Sequence, residues 1–516
     1  MTLDDLLPVH GVGEPRAHFS TLAALFDHAV ATAPDAVALR HRGVSLTYAE
    51  EGRAVAALAR RLADAVAPGD VVALLLPNSI AFVVAYFAAL KARATPALLN
   101  ATYPAPQLAP LVREAAPRAL ICRADAADMA RGLGIADVIA LDDKTAVELA
   151  RETAAPGPPD PRADDVGALL FSGGTTGIPK AVEHTHARLL IAVRCVEYNW
   201  PTRTGGEIWL PIAPFTHVYG FLQGVLSPVF ARAEVVIPER FQPEHVVDLL
   251  SRHHVTVFGG GPPAIYAGVL AASNLADADV SALRVCPAGG APMPRELLQR
   301  WHDATGRDIH EGYGMTELAP ISGTTELSGV RAGSVGRAMP CNEIQVVDLE
   351  TGTRVLAQGE RGEIRVRGPH MMSGYRNRPE ETAATIRDGF IYTGDIGHLD
   401  ADGFLFITDR KKDMVLVKGF NVFPREVEEV LHAHPRVAAA GVVGVPDARS
   451  GERLVAFVVA RAGAALAEAD LARWAAERLA AHQCPGEIRM IAALPMTGAQ
   501  KLDRMALRRL ACGATA

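Results

Sequence analysis

Short apolar runs alternate along this chain with longer stretches of helical periodicity, and no other feature restricts its fold as much. The runs at 168–171, 234–237, 255–258 and 283–287 are too short for helices, and most of the gaps between them could hold a crossover helix. That pattern predicts parallel strands with helices packed on them, an α/β architecture. The stretch from Val71 to Leu90 has the apolarity of a membrane span, but Pro77, Asn78 and Ser79 interrupt it. It reads instead as a buried strand over 71–76 and a helix over 80–91 whose N-cap is Asn78 or Ser79. At 516 residues the chain exceeds what one hydrophobic core usually serves, so two or more domains are expected.

Changes of texture mark the borders. Residues 154–165, rich in Pro, Gly and Asp, read as an exposed connection. Past Gly333, short alternating strands over 343–366 predict a β-rich subdomain that leads into turns over 393–402. The charged cluster Asp409, Arg410, Lys411, Lys412, Asp413 separates apolar strands at 404–407 and 414–417, as a solvated joint would. Beyond it follow a helix start over 424–432, strands over 438–445 and 454–460, and a helix over 467–481. The expected organisation is a large N-terminal domain, 1–408, of α/β subdomains with a β-rich subdomain; a hinge, 409–413; and a small mobile α+β C-terminal domain, 414–516.

Hydrophobic residues at 49% and charged residues at 21% describe an ordinary soluble protein, and a net charge of -7 offers nothing to a nucleic-acid backbone. Six cysteines, scattered without CxxC spacing, argue against a disulfide framework and against a zinc site, and suit a reducing cytoplasm. The N-terminus MTLDDLLPVHG is acidic where an export signal is basic and then apolar, so neither export nor a transmembrane segment is expected.

Candidate chemistry begins at Ser172, Gly173, Gly174, Thr175, Thr176, Gly177, Ile178, Pro179 and Lys180, directly after a strand. Glycines let backbone N–H groups approach an anion, hydroxyls add donors and lysine adds charge, so the run suits phosphate. It lacks the Gly-Lys-Ser/Thr ending of a Walker loop. In the run 312–317, Gly312 and Gly314 flank Tyr313, whose ring offers adenine an apolar face, while Thr316 can bond phosphate and Glu317 offers Mg²⁺ a hard oxygen. Asp395 can accept from both hydroxyls of a ribose, with Arg410 as a donor nearby. His184 and His186 have no third ligand at zinc spacing.

With Gly289, Gly290, Ala291 and Pro292, the run 333–336, and Tyr392 to Asp395, these motifs resemble the superfamily of adenylate-forming enzymes, and within it the acyl-CoA ligases. The resemblance runs from near Val71 to Lys501. It implies ATP-dependent acyl-AMP formation with loss of pyrophosphate, then thioester formation with CoA, with Mg²⁺ at Glu317. ATP would be held by the loop, by Gly289, Gly290 and Ala291, by Gly312, Tyr313, Gly314 and Thr316, and by Asp395, Arg410 and Lys501. Catalytic roles fall to Lys501, Thr175, Glu317 and His217, and the hinge position to Lys412. The acid, a medium- or long-chain fatty acid or an aryl monocarboxylic acid, would meet His217, Phe258, Gly259, Gly260, Gly261, Met315 and Ala319. Lys418, Gly419 and Phe420 would face CoA. A stand-alone enzyme that loads a carrier protein is the alternative, and self-association into a homodimer is left open. Two positions depart from the family pattern: Ala181 and Gln500 stand where glycine is usual, and Gln500 removes a permissive residue beside Lys501.

Overall fold

A computed structural model describes residues 3–7, 18–135, 137–152, 160–172, 179–447, 449–496 and 502–513. Loop residues 173–178 and the 497–501 segment, including Gln500 and Lys501, lie outside the described residues. The chain divides into two compact units, one of residues 1–343 and 366–391, the other of 344–365 and 392–516.

The first unit is built on two sheets and a smaller third. Its seven-stranded sheet runs in the order Gly374–Tyr375, Ala181–Thr185, Val166–Phe171, Thr95–Leu98, Val71–Leu75, Ala119–Cys122, Asp137–Ala140. The last five strands are parallel, as the alternating pattern predicted, whereas Ala181–Thr185 turns back antiparallel on Val166–Phe171. A five-stranded sheet has the order Val257–Gly259, Ile208–Pro211, Glu234–Ile237, Val37–His41, Val44–Thr47. One core draws on both sheets and on the helix Ile80–Lys91. Every residue of that helix from Ile80 to Leu90 is buried, which explains why it is apolar on all sides. Ser79 supplies the cap by accepting from the Phe82 N–H at 3.1 Å, and Phe87 stacks on Phe26 at 4.4 Å. Among the described residues no helix is long and apolar enough to cross a membrane.

The second unit carries the β-rich segment, with strands Glu343–Val347, Gly362–Arg367, Phe390–Leu399 and Leu405–Arg410 in one sheet. A further sheet orders Phe420–Val422, Val415–Val417, Gly451–Ala460 and Val437–Asp447, with Glu487–Met490 added parallel to Gly451–Ala460. The charged cluster therefore connects two sheets of this unit. Helix Pro424–His432 seats Val427 and Leu431 in the core of the second sheet.

Candidate active site

Strands Val166–Phe171 and Ala181–Thr185 form a hairpin with Phe171 opposite Ala181, and Ser172 N–H donates to the Lys180 carbonyl at 3.0 Å. Ser172 and Lys180, the two ends of the Gly/Thr run, are thus pinned together at the end of this antiparallel pair. Strand Gly374–Tyr375 adds to the same edge with Tyr375 opposite Val182, and the Lys180 ammonium lies 4.5 Å from the Tyr375 ring centroid. The Tyr375 hydroxyl donates to Glu317 Oε1 at 2.7 Å. Burial, then the Glu317 charge, raises the Tyr375 pKa, so the phenol stays a donor. Lysine, phenol and carboxylate therefore follow one another at the foot of the loop.

Glu317 stands in the tight turn joining Ile309–Met315 to Leu318–Gly323, where Met315 pairs with Leu318. It is 6% exposed, not a solvated strand end. The turn is held from two sides: Met372 N–H donates to the Glu317 carbonyl at 2.8 Å, and His184 Nε2 bonds the Thr316 carbonyl at 2.8 Å. His186 Nδ1 accepts from Leu22 N–H at 3.1 Å. Burial lowers both imidazoles to about 4, so both are neutral hydrogen-bonding groups.

Parallel pairing of Cys286–Ala288 with Ile309–Met315 brings the two glycine motifs side by side. A Cβ on Gly289 would lie 3.0 Å from the Gly312 carbonyl and 3.4 Å from the Tyr219 ring, a close approach that favours glycine. Tyr219 is fixed by its hydroxyl, which donates to the Pro287 carbonyl at 2.8 Å. His217 caps the short helix Val218–Phe221, its Nδ1 accepting from Tyr219 N–H at 3.3 Å.

In the second unit Asp395 and Arg410 are cross-strand partners, with Arg410 Nε 3.4 Å from Asp395 Oδ1. The carboxylate is 9% exposed, while the Arg410 side chain is half exposed and can turn to a ligand. Lys412 lies in the turn that follows, where burial lowers its pKa. Lys418 and Gly419, with φ of 51° and 84°, form the two-residue turn between Val415–Val417 and Phe420–Val422. This backbone demands glycine or a tolerant residue whatever it binds. Phe420 stands exposed, stacked on His482 at 4.4 Å.

Known proteins share this arrangement over most of its length. The family model described as AMP-binding enzyme matches residues 26–376, and that of the AMP-binding enzyme C-terminal domain matches 426–501. The chain belongs to the AMP-binding enzymes. A feruloyl-CoA synthase from Amycolatopsis is 35% identical over 92% of this chain and 96% of its own length. A long-chain-fatty-acid–CoA ligase from Bacillus subtilis is 38% identical over 66% of this chain and 61% of its own length. The solved structure of O-succinylbenzoate coenzyme A synthetase from Bacillus subtilis, in complex with ATP and magnesium ion, superimposes with a TM-score of 0.81 at 29% identity, covering 94% of this chain and 98% of that one. Adenylate-forming chemistry of the acyl-CoA synthetase class follows from this membership.

In this AMP-binding enzyme the expected acyl wall is only partly assembled as the sequence suggests. Phe258 points into the second core, fully buried and stacked on Trp301 at 5.7 Å. A Cβ on Gly260 would lie 2.8 Å from the Tyr266 ring, and one on Gly261 3.4 Å from the Tyr219 ring. The room left by these two glycines is thus taken by the chain's own tyrosines. Tyr375 escaped the sequence reading because strand pairing and not local spacing puts it beside the motifs, and His184 was weighed there only as a zinc ligand. Scattered spacing also hid a cluster: Cys195 and Cys341 meet at 3.5 Å between sulfurs, with His370 beside them. The spacing pointed to no zinc site, and the fold brings one ligand atom from each of these three residues within 4.8 Å of the others.

Proposed function

We propose that this enzyme activates a monocarboxylic acid with ATP and transfers it to CoA. The line Lys180, Tyr375, Glu317 at the base of the Gly/Thr hairpin carries this reading. In the first half-reaction an oxygen of the acid attacks the α-phosphorus of ATP, the bond to the bridging oxygen breaks, and pyrophosphate leaves. Ser172 to Gly177, with Thr175 catalytic, and Lys180 hold the departing phosphates; Gly289, Gly290, Ala291, Gly312, Tyr313, Gly314 and Thr316 seat the nucleotide. Asp395 and Arg410 take the ribose, and Lys501 offsets charge at the reacting phosphorus. Glu317 fits a hard cation: it is a buried carboxylate whose Oε1 is oriented by a phenol, which leaves Oε2 to bind. Mg²⁺ held there supplies charge neutralisation on the phosphates.

In the second half-reaction the CoA sulfur attacks the acyl carbon, the carbon–oxygen bond to phosphate breaks, and AMP leaves. Lys418, Gly419 and Phe420 guide the thiol arm, and Lys412 is the hinge of a joint, 409–413, between domains 1–408 and 414–516. His217 positions the acid at the thiol route. The acid meets backbone at Gly259, Gly260 and Gly261 with Met315 and Ala319, none of which could meet a second carboxylate. Both an aryl acid and a medium- or long-chain fatty acid suit that wall; the tyrosine-filled glycines favour a flat aryl chain, in line with the feruloyl-CoA synthase likeness.

Pyrophosphate release and CoA thioester formation measured across aryl, aliphatic and dicarboxylic acids test the proposal. The expected result is turnover of monocarboxylic acids, whereas a clear dicarboxylate preference overturns the pocket. Failure to form a CoA thioester, with transfer to a carrier protein instead, would establish the alternative acceptor. The setting we infer is the cytoplasm, where six thiols stay reduced. Sedimentation decides between monomer and the homodimer we carry as the second assembly state.

A further inference from the structure

We propose that Cys195, Cys341 and His370 form a binding site for one thiophilic metal ion, zinc(II), distinct from the carboxylate proposed for magnesium. The three ligands come from separate elements of the first unit. Cys195 is on the helix His186–Asn199, Cys341 precedes the strand Glu343–Val347, and His370 follows the strand Gly362–Arg367. One ligand atom from each lies within 4.8 Å of the others, and the two sulfurs are 3.5 Å apart. Tetrahedral zinc with Zn–S bonds of about 2.3 Å separates its sulfurs by about 3.8 Å, so the thiols already stand near chelating distance. A disulfide would require them to close to about 2.05 Å.

The histidine is prepared for the same role. Its Nε2 donates to the Pro320 carbonyl at 2.9 Å, which selects the tautomer with a lone pair on Nδ1. His370 is 1% exposed, and Nδ1 is buried without a hydrogen-bond partner. A ring N–H committed to a backbone carbonyl, with the other nitrogen left bare, is the outer-shell arrangement of metal-binding histidines. Asn342 fixes the neighbouring backbone: its amide donates to the Pro320 and Ile321 carbonyls at 3.2 and 2.9 Å, and its Oδ1 accepts at 3.8 Å from the Cys341 thiol, whose proton metal binding would release. Two sulfurs and an imidazole select zinc over magnesium or calcium. An open surface cavity of about 480 Å³ that includes Cys341 and Asn342 offers the ion an entry path. On the other side, Leu7 and Met339 pack with Cys195 and keep water out. Three protein ligands leave the fourth position to water. Bound zinc would tie the helix to two loops of the first unit, a structural role that requires no change in the ligase chemistry.

Cobalt(II) titration of the reduced full-length chain tests this, because thiolate ligation gives a charge-transfer band that oxygen ligation does not. The expected result is one cobalt per chain with that band, displaced by one equivalent of zinc, and a rise in melting temperature with zinc. Cys341→Ser should abolish the band, and His370→Ala should weaken binding about tenfold or more. A chain with Cys122, Cys286, Cys484 and Cys512 replaced by serine should keep the band. Should Cys195→Ser fail to fold, substitution at the less deeply buried Cys341 carries the test alone. No band in the reduced wild-type chain, or a band that survives Cys341→Ser, overturns the proposal.

Discussion

Glu317 and Tyr375 stand fifty-eight positions apart, and the pairing of Gly374–Tyr375 with Ala181–Thr185 brings the phenol to the carboxylate. A hydrogen bond to a charged group contributes about 1.5–3 kcal/mol. Tyr375→Phe should therefore slow pyrophosphate release about 10- to 100-fold and raise the Mg²⁺ concentration needed for half-maximal rate, read from a magnesium titration of the adenylation step. An unchanged magnesium dependence would mean that the phenol does not orient the carboxylate. Glu51 presents a second residue-scale case. It is 1% exposed, both its oxygens lack partners, and burial raises its pKa to about 8. The folded chain keeps this proton up to about pH 8 while the unfolded chain loses it near the ordinary value of 4.5, so stability falls as pH rises through that window. Glu51→Gln should leave the melting temperature unchanged at pH 4 and raise stability by on the order of 4 kcal/mol at pH 8. Equal effects at both values would trace the change to packing.

Elements were largely readable where apolar runs are bounded by turn residues. The helix at 80–91 and the strand at 234–237 fall where periodicity put them, and a helix does start at Pro424. The helix expected over 467–481 ends at Ala476, since its alanine-rich pattern carries no stop signal of its own. Gly419 shows a different limit: glycine signals both a tight turn and a passing ligand, and the positive φ at 418 and 419 accounts for it by the turn alone. The group of this hairpin left to meet CoA is the neighbouring side chain of Phe420. Phe420 is 56% exposed, and its ring stacks on His482, which leaves an aromatic platform on the second unit. Phe420→Ala should raise the KM for CoA about tenfold, worth about 1.4 kcal/mol, while pyrophosphate release in the absence of CoA stays at the wild-type rate. Loss of both activities together would make the ring a structural support of the hairpin.

On the scale of the whole molecule, the proposed reaction asks one chain for two chemistries, and the candidate groups are divided between its units. Glu317, Lys180 and Tyr375 belong to the first, and Asp395, Arg410, Phe420 and Lys501 to the second. Negative charge builds on the α-phosphoryl group only while the acid attacks ATP, so a cation that offsets it contributes to adenylation and not to thiol attack. Lys501 looks like a surface lysine in its own sequence neighbourhood, and only the motif series gives it this duty. Lys501→Ala should lower pyrophosphate release by about 100- to 1000-fold, the cost of losing one oriented charge donor. Thioester formation from acyl-adenylate supplied in advance should stay within about threefold of wild type, because that step begins after the phosphoryl charge has been resolved. The two rates are measured separately, one by pyrophosphate detection and one by CoA consumption, so folding losses, which reduce both, are distinguished from loss of the charge. A parallel fall in both rates would trace the effect to the fold, and pyrophosphate release that stays at the wild-type rate would remove Lys501 from the chemistry.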